Sequence, residues 1–272
     1  MKAFHFFLLA TMIILCNCTD KVDEEPIVFY PEAISSSEWS ENVISFTADE
    51  NTAFLTRTEG WELQSGYIST VAQGDYTEPI YIPALDSIYN GAISPDGTQI
   101  LYSVRTDSAS SIWLIKKEGD QWVKPINLTK KSALSGGYFY WLNARDIYFY
   151  IPADNGNMVK GRLENEQLTI TDSLVELNTT SGTEFSPYVD RNEQYMIFSR
   201  YDEADENQRG LFISYRLPDS HEKQWSVPEK LDMLPYGWSP YVLHSKQLLL
   251  FSDGEDILSY PLSKLALTPT DH

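Results

Sequence analysis

The chain has 272 residues, with 20 Lys and Arg against 39 Asp and Glu, for a formal charge of −19. So acidic a surface repels nucleic acid and anionic lipid headgroups, which excludes both as partners and leaves neutral glycans, cations and basic protein patches. Aromatic residues at 13%, with 14 Gly and 14 Pro, suit a turn-rich β protein and not a disordered one.

Lys2 precedes an apolar run from Phe4 to Leu15, broken only by His5 and Thr11. The run is too short to span a bilayer and stands at the amino terminus, so residues 1–17 read as an export signal. Leu15-Cys16-Asn17-Cys18 resembles a bacterial lipobox, which makes Cys18 the expected lipidated residue, although Asn17 replaces the usual small residue. Cys16 and Cys18 are the only cysteines, so the rest of the chain has no disulfide, thiolate ligand or thiol nucleophile. Residues 18–25 then form an acidic tether, similar to the surface-export signal of lipoproteins in Bacteroidetes-type bacteria.

A repeat dominates the remainder of the chain. Asp49, Asp96, Asn143 and Asp190 succeed one another at 47-residue intervals, and Ser239 comes 53 residues after its counterpart Ser186. A fixed period of this length marks a structural unit stacked beside its copies. The second copy is the clearest. Tyr89 to Ser94 leads into the turn Pro95-Asp96-Gly97, then come Ile100 to Val104, Ser111 to Ile115, and Trp122 to Leu128 after the turn Gly119-Asp120. Short β-forming runs separated by turn residues predict four strands per repeat, and no stretch sustains the 3.6-residue apolar period of a helix.

Third strands are expected at Tyr67-Ile68, Ile112-Trp113, Met158-Val159, Leu211-Phe212 and Ile257-Leu258. Tyr76, Trp122, Leu168 and Trp225 recur in phase, with Pro79, Pro125 and Pro228 three residues after three of them. The fifth copy stops after its third strand, whereas Glu25-Pro26-Ile27-Val28-Phe29 reads like the fourth strand Glu78-Pro79-Ile80-Tyr81-Ile82. The predicted fold is therefore an all-β, five-bladed β-propeller over residues 26–265, closed by the N-terminal strand in the last blade, with a tail at 266–272.

Ile93-Ser94-Pro95-Asp96-Gly97-Thr98-Gln99-Ile100-Leu101-Tyr102-Ser103 resembles the WD-like propeller repeat of TolB-type proteins. Glu184 to Pro187, Ile197 to Ser199, Gly210 to Ser214 and Trp225 to Leu231 are similar to the version found beside peptidoglycan-binding domains. The resemblance implies a propeller in the periplasm or on the cell surface that binds proteins or ligands. It carries over no catalytic residue.

The candidate chemistry is sparse. Beyond the signal the histidines are His221, His244 and His272, none in a nucleophile–His–acid pattern. Glycoside hydrolysis needs two carboxylates at a set separation, for which Glu38, Asp86 and Glu184 stand before or in inner strands. The recurrent aspartates belong to tight turns, where Asp bonds its own backbone. Tyr201 to Asn207 has carboxylates in a calcium-like run but lacks the Gly and terminal Glu of an EF-hand, and reads as a hairpin tip. In-phase Trp113, Trp122, Trp141 and Trp225 are expected between blades. Tyr89, Tyr138, Tyr140, Tyr236, Trp238 and Glu184 are the candidate ligand-binding rim. No catalytic residue, metal site or cofactor is expected. The reading is a lipid-anchored, non-catalytic envelope protein that binds a protein partner, with an extracellular glycan, bound or cleaved, as the alternative.

Overall fold

The computed structural model describes residues 25–59, 64–106, 109–152, 156–217, 224–265 and 267. The export signal, Cys18, most of the tether, His221 and most of the C-terminal tail lie outside the described residues.

After β1 (Ile27–Val28), five antiparallel sheets are laid down in chain order. Blade one comprises β2 (Ser40–Phe46), β3 (Thr52–Thr58) and β4 (Ser65–Ala72), with β5 (Asp75–Tyr76) and β6 (Ile80–Tyr81) both pairing with β4. Blade two is β7 (Asn90–Ile93), β8 (Gln99–Thr106), β9 (Ala109–Glu118) and β10 (Gln121–Asn127). Blade three is β11 (Gly137–Trp141), β12 (Asp146–Ile151), β13 (Asn157–Glu164) and β14 (Gln167–Ser173). Blade four is β15 (Thr183–Val189), β16 (Tyr195–Tyr201), β17 (Gly210–Tyr215) and β18 (Glu229–Lys230). Blade five is β19 (Trp238–Leu243), β20 (Leu248–Ser252) and β21 (Ile257–Pro261), completed by β1. The first strands β2, β7, β11, β15 and β19 contact one another in a closed circle and form the inner wall. This is the five-bladed propeller that the repeat predicts, and every expected third strand lies in one of β4, β9, β13, β17 and β21.

The recurrent aspartates hold the turns between first and second strands. Asp96 Oδ1 accepts from Ser94 Oγ at 2.6 Å and from the Thr98 amide at 3.1 Å, and Asp49 Oδ1 does the same with Thr47 and Asn51. Gly97 comes next at φ 72°, a left-handed conformation that favours glycine. These turns share one end of the ring, the turn face. The hairpins between second and third strands lie at the other, the mouth face.

Blades cohere through apolar clusters at their seams. Phe54, Leu85, Ile100 and Tyr102 join blades one and two. Ala92, Leu114, Trp141 and Phe149 join two and three. Tyr148, Leu174, Phe198 and Trp225 join three and four. The largest cluster joins blades four, five and one. At roughly 25 cal/mol per Å² of apolar surface removed from water, these seams are the main stabilising term.

Closure occurs as expected. Ile27 pairs with Ser259 and Val28 with Leu258, and the Phe29 amide donates to the Ile257 carbonyl at 2.8 Å. Phe29 then packs across the seam onto Tyr76 of blade one, with ring centroids 6.0 Å apart. The outer strands are less regular than the repeat suggests, because proline has no N–H to give a sheet. Pro79 falls between β5 and β6, Pro228 immediately precedes the two-residue β18, and Pro125 sits in the register shift of β10.

Candidate functional site

Four of the five inner strands slip register, β2 between Glu41 and Val43, and the other three share one form of bulge. Register slips between Gly137 and Tyr140 in β11, Phe185 and Tyr188 in β15, and Trp238 and Tyr241 in β19. Within each slip one residue turns left-handed: Tyr138 at φ 53°, Ser186 at 50° and Ser239 at 55°. A bulge re-aims the side chains beyond it. Below the slips, Tyr140, Tyr188 and Tyr241 meet with ring centroids 5.1, 6.3 and 5.5 Å apart, and Phe46 lies 4.9 Å from Tyr241. This aromatic plug leaves an axial space of about 40 Å³, enough for no more than a few waters. Burial holds the hydroxyls of Tyr140, Tyr188 and Tyr241 above the ordinary tyrosine range, so they stay protonated.

Above the plug the ring opens into a mouth of about 870 Å³. Tyr89, Tyr138, Tyr150, Phe185 and Tyr236 line it. A smaller recess of about 170 Å³ continues from it toward Asn42, Gln64 and Trp238. The hydroxyls of Tyr89 and Tyr138 share a hydrogen bond of 2.7 Å, and Tyr138 meets Tyr150 edge-on and Phe185 at 5.0 Å. Burial, reinforced by Tyr89, raises the Tyr138 hydroxyl well above its usual range. Arg105 is the one charged side chain lining the mouth among the described residues. Its guanidinium lies 5.1 Å from the Tyr89 ring centroid, a cation–π contact.

Three buried carboxamide atoms at this mouth lack a hydrogen-bond partner: Nδ2 of Asn90, Nδ2 of Asn42 and Oε1 of Gln64. Their residues are 1%, 4% and 7% exposed. The side-chain oxygen of Asn90 is used, accepting from the Tyr138 amide at 2.8 Å. An unpaired buried polar atom costs about 1–3 kcal/mol, so three in one place mark a site suited to an incoming hydrogen-bonding group.

The structure brings Tyr89, Tyr138, Tyr236 and Trp238 of the expected rim together at this mouth. Tyr140 lies deeper, in the plug, because two residues along a strand carry a side chain ~7 Å further down the axis. Glu184 does not reach the mouth lining. It is 0% exposed, accepts from Arg200 Nε at 2.7 Å, and accepts from the Thr179 hydroxyl at 2.9 Å. Glu41 and Arg57 form the matching pair in blade one at 2.9 Å. Arg57 Nη2 also reaches the Ala33 and Ile34 carbonyls, and Arg200 Nη2 that of Leu177, so each pair fastens the linker entering its blade. Glu38 is exposed, and surface Asp86 accepts from Ser65 Oγ at 2.9 Å. The three carboxylates therefore do not gather.

The run from Tyr201 to Asn207 is a hairpin tip, where Asp202 Oδ1 accepts from the Ala204 and Asp205 amides. No carboxylate or imidazole cluster able to hold a metal occurs among the described residues. His244 bonds the Tyr188 hydroxyl through Nε2 at 2.9 Å, on the turn face. A groove of about 910 Å³ between blades one and two is lined by Ile80, Tyr81 and Trp122; of its carboxylates, Asp49 and Asp96 are engaged in their turns and Asp120 is exposed. Arg105, Asn42, Gln64 and Asn90 escape a reading of the sequence alone. The available signal was position: Arg105 is the penultimate residue of the second strand of its repeat, beside the mouth-face hairpins.

No family model matches this chain, and no curated protein matches it. Solved structures do. A Dyadobacter fermentans protein of unknown function superposes with a TM-score of 0.52 at 9% identity, covering 89% of this chain and 84% of that one. A protein assigned as TolB from Agrobacterium tumefaciens gives 0.51 at 13% identity, covering 84% and 72%. TolB from Acinetobacter baumannii gives 0.49 at 12% identity, over 82% of this chain and 54% of that longer one. At these identities the likeness is one of fold: this chain shares a β-propeller architecture with the Agrobacterium tumefaciens protein.

Proposed function

We propose that this chain is a non-catalytic binding protein of the cell envelope, anchored through Cys18, whose propeller mouth receives a segment of a protein partner. The export-type leader and lipobox-like Leu15-Cys16-Asn17-Cys18 support the location. The observation that carries the binding role is the mouth itself: a closed-ended aromatic funnel with unpaired carboxamides and, among its described lining, no carboxylate. Hydrolysis of a glycoside requires a pair of acids there. The candidate acid Glu184 is neutralised by Arg200, and the plug tyrosines stay protonated.

A protein segment suits the mouth better than a sugar. Sugar rings stack on open aromatic faces, whereas here the rings lean edge-on against one another. Tyr89 and Tyr138 meet at 75°, and Tyr138 and Tyr150 at 85°. Carboxamides, in contrast, match the alternating donors and acceptors of a peptide backbone. Purified protein applied to a short-peptide array and a glycan array provides the test. Peptide signals that weaken about tenfold or more in Tyr236→Ala, with a blank glycan array, are the expected result for an aromatic anchor residue. Glycan binding, or release of sugar from mixed polysaccharides, would replace this reading.

A further inference from the structure

We infer that the mouth selects a segment bearing a carboxylate, and that Arg105 is the residue that receives it. This rests on the peptide reading of the mouth and adds the chemistry of its specificity.

The charge distribution makes the case. The chain carries −19 overall, and 39 of its residues are acidic. Acids are nonetheless absent from the described lining of the mouth, whose single charge is a guanidinium. Arg57 and Arg200 are both buried against glutamates, while Arg105 is exposed and forms no ion pair with any described residue. Its planar fork lies over Tyr89, near enough to Tyr138 and Tyr150 to act on the titration of both hydroxyls. A guanidinium resting on an aromatic face keeps its edge N–H groups directed outward, and a carboxylate matches two of them at once.

The surroundings are prepared for the rest of the segment. Asn90 Nδ2, a donor, is buried and unpaired in the same lining as Arg105. Asn42 Nδ2 and Gln64 Oε1, a donor and an acceptor, stand unpaired in the continuing recess. Tyr138, between the two, is held at φ 53° by its bulge, a strained conformation for a bulky residue. Strain and unpaired polar atoms thus concentrate where this arginine lies. Together they form a seat for an extended peptide whose carboxylate reaches Arg105 and whose backbone amides reach the carboxamides. The carboxylate is supplied either by an Asp or Glu side chain or by a chain terminus.

The experiment separates these sources. Array peptides are compared with free and amidated C-termini, with Asp and Glu replaced by Asn and Gln, and with phosphoserine in their place. Binding is measured for the wild-type protein, Arg105→Gln and Arg105→Lys. The inference expects about tenfold or greater weakening in Arg105→Gln and partial retention in Arg105→Lys, since Lys keeps the charge but not the fork. Loss on amidation assigns the carboxylate to a terminus, and loss on Asn or Gln replacement assigns it to a side chain. Peptide binding that ignores all these changes, or prefers phosphoserine, overturns the inference and leaves the peptide reading intact. As a second readout, N-acetyltyrosine and N-acetyltyrosinamide are titrated while the Arg105 Nε–H resonance is tracked by NMR. A shift with the acid alone supports the seat even if every array peptide fails, which would sink only the peptide reading. Equal shifts, or none, sink the seat.

Discussion

Glu41 and Glu184 are removed from water together with the arginines that neutralise them, and each pair spans the first hairpin of its blade. Burial pushes the Glu41 carboxyl up to about 7 even though Arg57 pulls it down. Folded Glu41 therefore holds a proton that the unfolded chain, near 4.5, has released. Between those values the native state binds more protons than the unfolded state, so stability falls as pH rises through this window, by at most ~1.4 kcal/mol per pH unit from this group. Glu41→Gln is expected to remove that slope, so urea denaturation at about pH 5 and pH 7.5 should show a smaller difference in the variant than in the wild type. Equal differences would assign the proton elsewhere. The roles of individual residues were legible where the partners are local. Asp96 bonds within two residues of itself, and its turn is readable from Ser-Pro-Asp-Gly. Glu184 finds its partner 16 residues on, through strand register, so in isolation it reads as an available acid. The same 16-residue spacing in Glu41 and Arg57 was the signal that could have exposed it.

Strand β1 is two residues long, yet its placement governs an entire seam. Phe29 lies just beyond it, 3% exposed, bonded to the Ile257 carbonyl and packed between Tyr30 and Tyr76. It thus ties the last blade to the first. Phe29→Ala is expected to cost about 3–5 kcal/mol, as large apolar deletions in a core do, seen as a lower urea midpoint with the mouth unaltered in the folded fraction. A loss below about 1 kcal/mol would mean that the ring holds without this seam contact. The elements were the most legible level, because apolar runs and turn residues repeat at a 47-residue interval through the first four blades and recur, offset, in the fifth. The split outer edge of blade one was not, since two-residue strands leave almost no pattern; Pro79 was the one visible warning. The bulges at Tyr138, Ser186 and Ser239 were hidden for a different reason: none is glycine, so nothing local announces a positive φ.

At the scale of the whole molecule, the aromatic plug makes the ring a cup and not a tube. Tyr140 was expected at the rim and instead helps to form the floor, because depth along a strand depends on register that the sequence does not display. Whatever enters the mouth must leave by it. The direction of the closing strand fixes how that cup is presented. Strand β21 runs from the mouth-face hairpin toward the turn face, and β1 lies antiparallel to it, so the chain ahead of Ile27 arrives from the turn face. Protein immobilised on a sensor chip by a tag ahead of residue 25 is therefore expected to bind array-derived peptides as tightly as free protein, whereas a tag placed between β8 and β9 is expected to block them. Equal blocking would contradict this polarity. On the proposed attachment through Cys18, that polarity would work like a lamp hung from behind, with the open bowl turned away from its fixing point.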